Sequence, residues 1–327
     1  MKVTQTSPTL PITHQLDSIL DTVGYTPLIH LKQLSTLTGI DVYGKLEMAN
    51  PGGSIKDRTS LSILNEGIKN GTITPDTTLI ESSSGNMAIG LAQVCSYYSI
   101  PLVIVVDPKA NKHTLKILKA YGVKVDIVEK PSTDGGYLGA RLKRVKQLLE
   151  KIPKAVWTNQ YGNRANPLAH HQTMAEIAHD LPDADYIFAA TSTCGTLMGC
   201  AAYIKAENLS TKLVAVDALG SVIFGNKPKD RFIPGHGAGL PSQFLDRKTI
   251  EEVVHVSDME CVTGCKKLLS TESILAGGSS GAVVSAFLKR AATIPSDQKV
   301  VLILCDRGER YLDTIYNEEW VTNKLNG

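Results

Sequence analysis

Asn50-Pro51-Gly52-Gly53-Ser54-Ile55-Lys56-Asp57-Arg58 is the stretch whose reading decides the fold. An apolar run, Val42–Glu47, precedes it and reads as a strand. Thr59–Leu64 follows and reads as a helix with Leu61, Leu64 and Ile68 on one face. Pro51-Gly52-Gly53 forces a turn between the two, because glycine adopts backbone angles closed to other residues. A lysine just past such a turn stands near a helix N-terminus, where the helix dipole disfavours positive charge. A desolvated lysine gives up its proton more readily, and a neutral amine can condense with an aldehyde. Taken alone, a solvated surface lysine is the plainer account of Lys56. The spacing is not that of a Walker phosphate loop.

Working outward, 327 residues suggest two domains. A hydrophobic content of 43% supplies a sizeable core. A formal net charge of +2 gives no reason to expect nucleic acid or a membrane surface as partner. Cys95, Cys194, Cys200, Cys261, Cys265 and Cys305 lack both disulfide-framework density and zinc spacing, so they read as buried thiols of a reducing compartment and no metal is expected. No signal pattern or membrane-length apolar run is present, which points to a cytoplasmic protein.

Along the chain, residues 1–15 read as a loose polar arm, with a short helix starting between His14 and Ile19. Strand-like runs then alternate with amphipathic helical patterns. Examples are Thr78–Glu81, Leu102–Val106, Tyr186–Ala190 and Val300–Leu304 among the strands, and Met87–Tyr98, Tyr137–Lys151 and Pro167–His179 among the helices. Such alternation predicts an α/β fold of mostly parallel sheets flanked by helices. Ile152-Pro153-Lys154 is a candidate linker where one lobe ends. Leu219–Phe244 is glycine- and proline-rich without periodicity; a loop that long is usually functional or mobile.

Three further turns join a strand to a helix. Glu81-Ser82-Ser83-Ser84-Gly85-Asn86 offers hydroxyls and free N–H groups suited to a carboxylate. Thr191-Ser192-Thr193-Cys194-Gly195-Thr196 could wrap a phosphate, and it is not the G-x-G-x-x-G of a dinucleotide site. Ala276-Gly277-Gly278-Ser279-Ser280-Gly281 precedes a third helix. An ordinary helix cap explains each one singly. Together with Pro51–Lys56 they are harder to dismiss, because such turns gather at the carboxyl ends of parallel strands, where ligands bind.

Taken together, these stretches resemble the fold-type II pyridoxal-phosphate (PLP) enzymes of the cysteine synthase and cystathionine β-synthase group, from about Leu16 to Trp320. The resemblance implies a tryptophan synthase β-subunit-like fold: a smaller mobile lobe over 48–157, a larger lobe of 16–47 plus 158–327, and the coenzyme between them. It implies Lys56 as the imine-forming, catalytic lysine. Asn86 would bond the coenzyme's hydroxyl, Ser192, Thr193, Cys194, Gly195 and Thr196 its phosphate, and Ser279 its pyridine nitrogen. Ser83, Ser84 and Gly85 would grip the substrate carboxylate. Gln160 matches the family's active-site glutamine, Asn166-Pro167 its N-P pair, and Gly235-His236-Gly237-Ala238-Gly239 its glycine loop. The implied chemistry is β-replacement through an aminoacrylate, the implied partners are small amino acids, and a homodimer is expected.

The chain departs from the sulfide-using cysteine synthases at Ser192 and Cys194, where those enzymes show glycine, and at Ser83, where they show threonine. Asp134-Gly135-Gly136-Tyr137-Leu138 and Asp306-Arg307-Gly308-Glu309-Arg310-Tyr311 are among stretches similar to a siderophore-pathway subgroup. That likeness implies O-phospho-L-serine as donor and L-glutamate as nucleophile, on the way to 2,3-diaminopropionate. Sulfide with acetylserine or phosphoserine is the alternative. A PLP-free binding or regulatory relative is a third reading, opposed by the presence of Lys56, Asn86 and Ser279. Such acidic substrates need cationic or hydroxyl donors; Arg141, Tyr161 and Ser192 are the candidates, with Lys112 and Arg164 behind them. Arg141 shares its helix with Lys143, Arg144 and Lys146, so a solvated basic face is the competing account.

Overall fold

The computed structural model of the protein describes residues 15–325 apart from Asn226. The expected N-terminal arm and His14 lie outside the described residues. In place of the helix expected there, Ile19–Thr22 forms a single 3-10 turn, closed by reciprocal bonds between Ser18 and Asp21.

The strands are β1 (Leu28–His30), β2 (Asp41–Leu46), β3 (Thr78–Ser82), β4 (Leu102–Val106), β5 (Lys124–Ile127), β6 (Ala155–Trp157), β7 (Tyr186–Ala190), β8 (Lys212–Ala218), β9 (Glu252–Val256) and β10 (Lys299–Leu304). The helices are α1 (Lys32–Thr38), α2 (Lys56–Lys69), α3 (Asn86–Tyr97), α4 (Lys112–Ala120), α5 (Gly136–Lys151), α6 (Ala165–Asp180), α7 (Gly195–Ala206), α8 (Asp258–Glu272), α9 (Gly278–Arg290) and α10 (Glu318–Leu325).

Two sheets result. One has six strands in the order β1-β2-β10-β7-β8-β9, the other four in the order β5-β4-β3-β6. Every pairing is parallel except β1 with β2. Helices cover both faces of a parallel sheet, so its inner strands are apolar along their whole length rather than alternating. Val300 through Leu304 and Leu102 through Val106 are accordingly buried residue by residue. Among the described residues no helix is long and apolar enough to cross a membrane. All six cysteines are buried free thiols.

Two expectations are corrected. Ile152-Pro153-Lys154 does not end a lobe: β6 follows it and pairs with β3 in the same four-stranded sheet. The buried side of α2 is Thr59, Ser60, Ile63, Leu64 and Gly67, whereas Ile68 is 42% exposed. The cause is close helix packing through small residues. A Cβ on Gly90 of α3 would stand 2.5 Å from Ser60 Oγ and 3.1 Å from the Lys56 carbonyl oxygen. The face that touches its neighbours most closely is therefore small and polar, and an apolar-periodicity reading passes over it.

Candidate active site

The turn before α2 is built as its glycines require. Gly53 has φ +85° and donates its N–H to the Asn50 carbonyl at 2.8 Å. A Cβ there would stand 2.8 Å from an Arg310 guanidinium nitrogen, so backbone angle and space both demand glycine. The turn is pinned to the end of β10: Ile55 N–H donates to the Cys305 carbonyl at 2.8 Å, and Arg307 N–H to that of Gly53 at 3.2 Å.

Lys56 is therefore the first residue of α2, with Cys305 and Asp306, just past β10, among the groups that act on its amine. No hydrogen bond or ion pair holds its Nζ among the described residues. Desolvation lowers its pKa, against the opposing pull of Cys305, Asp306 and Glu47. The dipole argument made for this lysine is thus secondary to burial.

Asp306 is the hub beside it. This buried carboxylate accepts from Asn86 Nδ2 at 2.8 Å, from the Tyr311 hydroxyl, and from Ser279 Oγ at 3.4 Å. Burial raises its pKa, while Tyr311, Asn86, Arg310 and Ser279 oppose the rise. Arg310 donates to the Asn86 side-chain oxygen and to the Gly52 carbonyl. Lys56, Asn86 and Ser279, far apart in sequence, thus meet around one carboxylate. Asp306, Arg310 and Tyr311 belong to the stretch Asp306–Tyr311 that follows β10. Their signal in the sequence was a charged run directly after an apolar strand.

The turn 192–196 opens α7. Cys194 takes φ +65° at its N-cap, a conformation that costs a non-glycine residue roughly 1–2 kcal/mol. Gly195 N–H turns to Thr193 Oγ1 at 3.2 Å, and the next N–H groups have no intrahelical acceptor, as at any helix start. Asn166, at the start of α6, fixes the turn. Its Nδ2 donates to Thr193 Oγ1 at 3.0 Å and to the Gln160 carbonyl at 2.7 Å, and its Oδ1 accepts from Thr59 Oγ1 at 3.3 Å. A Cβ on Gly195 would stand 2.0 Å from that Oδ1. The glycine loop lies alongside, with Gly237 N–H donating to the Thr191 carbonyl at 2.7 Å.

On the other side, Glu81, next to last in β3, is a buried carboxylate. It accepts from Thr158 Oγ1 at 2.5 Å, Ser82 N–H at 2.8 Å and Gln160 N–H at 3.2 Å, and so sets the strip carrying Gln160 and Tyr161. Burial raises its pKa despite those bonds. Ser83, Ser84 and Gly85 form the turn between Glu81 and α3, with Gly85 N–H directed to Ser83 Oγ at 3.4 Å.

Tyr161 gathers the remaining candidates. Burial raises its phenol pKa, and the nearby Ser192 hydroxyl opposes the rise. Glu81 raises it further, while the positive charges of Arg231 and Arg141 lower it. Arg141 is not on a solvated face: its side chain is 16% exposed and its Nε lies 3.3 Å from Asp107. Arg144, one turn on, pairs instead with Asp126. Lys112 and Arg164 are exposed and stand apart from this cluster. Arg231, from the irregular segment after β8, takes the place they were expected to fill.

The donor set suits a flat aldehyde coenzyme with a phosphate tail: an unpartnered, desolvated amine, a serine and a carboxylate facing it, and a hydroxyl-lined helix start. Comparison with known proteins agrees. Residues 19–306 match the family model described as pyridoxal-phosphate dependent enzyme. An O-acetylserine dependent cystathionine β-synthase from Helicobacter pylori is 32% identical, with TM-score 0.85, over 93% of this chain and 100% of that one. An O-acetylserine sulfhydrylase isoform from Entamoeba histolytica is 30% identical, with TM-score 0.86, over 94% and 93%. An O-ureido-L-serine synthase is 29% identical, with TM-score 0.85, over 95% and 96%. A match this long, on a chain whose lysine, serine and phosphate-suited turn converge, means that the protein belongs to the pyridoxal-phosphate dependent enzymes.

Proposed function

We propose that the protein joins O-phospho-L-serine and L-glutamate to N-(2-amino-2-carboxyethyl)-L-glutamate, releasing phosphate, and that it acts as the synthase of that name. The observation that carries this reading is the cluster of Tyr161, Ser192 and Arg141, which brings hydroxyls and positive charge together beside Gln160. Two acidic substrates need such donors, whereas sulfide has no carboxylate to be held. The neighbours named for O-acetylserine and O-ureido-L-serine support β-replacement on serine derivatives as the reaction class.

In this reading Lys56 anchors the coenzyme, Ser279 faces its ring nitrogen, and residues 192–196 hold its phosphate. The bound coenzyme supplies an electron sink that acidifies the α-carbon of the donor amino acid. Lys56 Nζ, whose pKa desolvation lowers, takes the α-proton and later returns it. The Cβ–O bond of phosphoserine breaks and phosphate leaves with the electron pair. The amine of glutamate forms the new N–Cβ bond and sheds a proton. Ser83–Asn86 holds the donor carboxylate. The four-stranded lobe closes on the six-stranded one to exclude water.

The test is phosphate release from O-phospho-L-serine, assayed with glutamate, with sulfide and with no acceptor. Glutamate should accelerate release and yield the adduct, identified by mass. Acceleration by sulfide alone would instead favour a cysteine synthase, the activity in the sulfhydrylase neighbour's name. Lys56→Ala should abolish release while the circular dichroism spectrum is kept. Ser192→Gly should raise the KM of one substrate more than it weakens coenzyme binding, and equal losses would count against the assignment.

A further inference from the structure

Arg231, whose positive charge bears on Tyr161, belongs to no motif in the sequence. It lies in the irregular segment between β8 and β9, and its Nη1 donates to the His236 carbonyl at 2.9 Å. Its Nη2 lies 3.9 Å from the point where a Cβ on Gly239 would stand, and Leu138 Cδ2 lies 4.0 Å from that same point. Leu138 belongs to the first turn of α5, and Arg141 follows it by three residues, on the same side of the helix. The loop that carries Arg231 is itself fixed to Thr191, the residue before Ser192. The guanidinium is thus held where α5, which packs on the four-stranded sheet, meets the glycine loop of the six-stranded side.

Its electrostatic state differs from that of Arg141. Arg141 already faces Asp107. The Nε of each guanidinium is buried without a hydrogen-bond partner among the described residues, but Arg231, unlike Arg141, forms no ion pair there. A buried guanidinium edge without an acceptor is costly and calls for an anion. The donor amino acid's own carboxylate has the Ser83–Asn86 turn. Its phosphate must depart, and Arg141, half neutralised by Asp107, suits a group that leaves. A guanidinium without a carboxylate partner suits a group that stays until product release.

We propose that Arg231 is a specificity residue for the second substrate, receiving the side-chain carboxylate of an incoming dicarboxylic amino acid at the cleft mouth. This deepens the proposed function and rests on it. An acceptor without that second carboxylate leaves Arg231 unmatched, which is a larger penalty than a lost attraction.

The test uses the PLP-loaded enzyme with Arg231→Met and Arg231→Lys, assaying phosphate release and product. Arg231→Met should raise the KM for glutamate on the order of tenfold or more, as loss of a charge-assisted bidentate contact does. The KM for phosphoserine and the visible spectrum of the bound coenzyme should hold. Glutamine, the neutral analogue, should be used at least as well by Arg231→Met as by wild type, since the variant leaves no guanidinium unmatched. Arg231→Lys should recover part of the glutamate KM, and it carries the test if the methionine variant does not fold. An unchanged glutamate KM, or an equal rise for both substrates, overturns this role and leaves the proposed reaction standing. Failure of glutamate to accelerate the wild-type enzyme overturns both.

Discussion

One residue beyond Lys56, Asp57 is fully buried, with Oδ2 accepting the Gly52 N–H at 2.5 Å and Oδ1 without a partner. Burial pushes its carboxyl up to about 7, against the Gly52 hydrogen bond and the charges of Arg310 and Arg307. The folded-state value lies above the unfolded value near 4. The native state therefore binds this proton more tightly, and the group's contribution to stability is full below about pH 4 and is lost as pH rises to about 7. Asp57→Asn keeps an acceptor for Gly52 and removes the titration. Relative to wild type, the variant should gain stability between pH 5 and pH 8, read as a shift in the urea midpoint. A variant that loses ground at pH 8 would mean that the ionised carboxylate is favourable there.

Between elements, α2 is anchored by a buried charge quartet. Arg58 donates through Nε and Nη2 to Glu47 at 2.7 and 2.8 Å, and through Nη1 and Nη2 to Glu176 of α6, both at 2.7 Å. Lys45 of β2, fully buried, reaches Glu176 at 2.8 Å and the Thr26 carbonyl at 2.6 Å. Two cations and two carboxylates balance, and one guanidinium joins α2 to α6 and to the turn that follows β2, two residues after Lys56. Arg58→Met should destabilise the fold by about 3–5 kcal/mol, because it strands buried carboxylates. Arg58→Lys should recover little, since an ammonium cannot bond both carboxylates bidentately. Denaturant unfolding of the two variants measures this; a cost below about 1 kcal/mol, the range of exposed pairs, would show that the quartet is not strongly coupled to stability.

For the whole molecule, the contacts that bridge the two sheets near the cleft are largely polar. Asn86 of α3 meets Asp306, Arg310 meets Asn86, and Asn111 Nδ2 donates to the Arg310 carbonyl at 3.0 Å. Hydrogen bonds of this kind can break and reform during lobe motion at little net cost, whereas a packed apolar seam would resist it. Adding phosphoserine to the loaded enzyme should therefore reduce the radius of gyration in small-angle scattering. An unchanged value would argue for a rigid pair of lobes.

The sequence by itself determined the alternation of strands and helices, because a parallel strand buried on both faces must be apolar throughout, as Val300–Leu304 is. It also determined the turn at Gly52-Gly53, because only glycine fits at Gly53, and it marked the lysine placed after that turn. Tertiary structure decided the rest. Short α1 and α10 escaped the periodic reading, since seven or eight residues hold too few turns to show a face. The small polar face of α2 became an interface only because Gly90 lets another helix come close. Arg141 could not be told from its basic neighbours until Asp107 and Tyr161 stood beside it. Arg231 carries no local pattern at all, and the charged run that holds Asp306 does not single it out, because burial and partners are properties of three-dimensional neighbours, which one-dimensional spacing does not record.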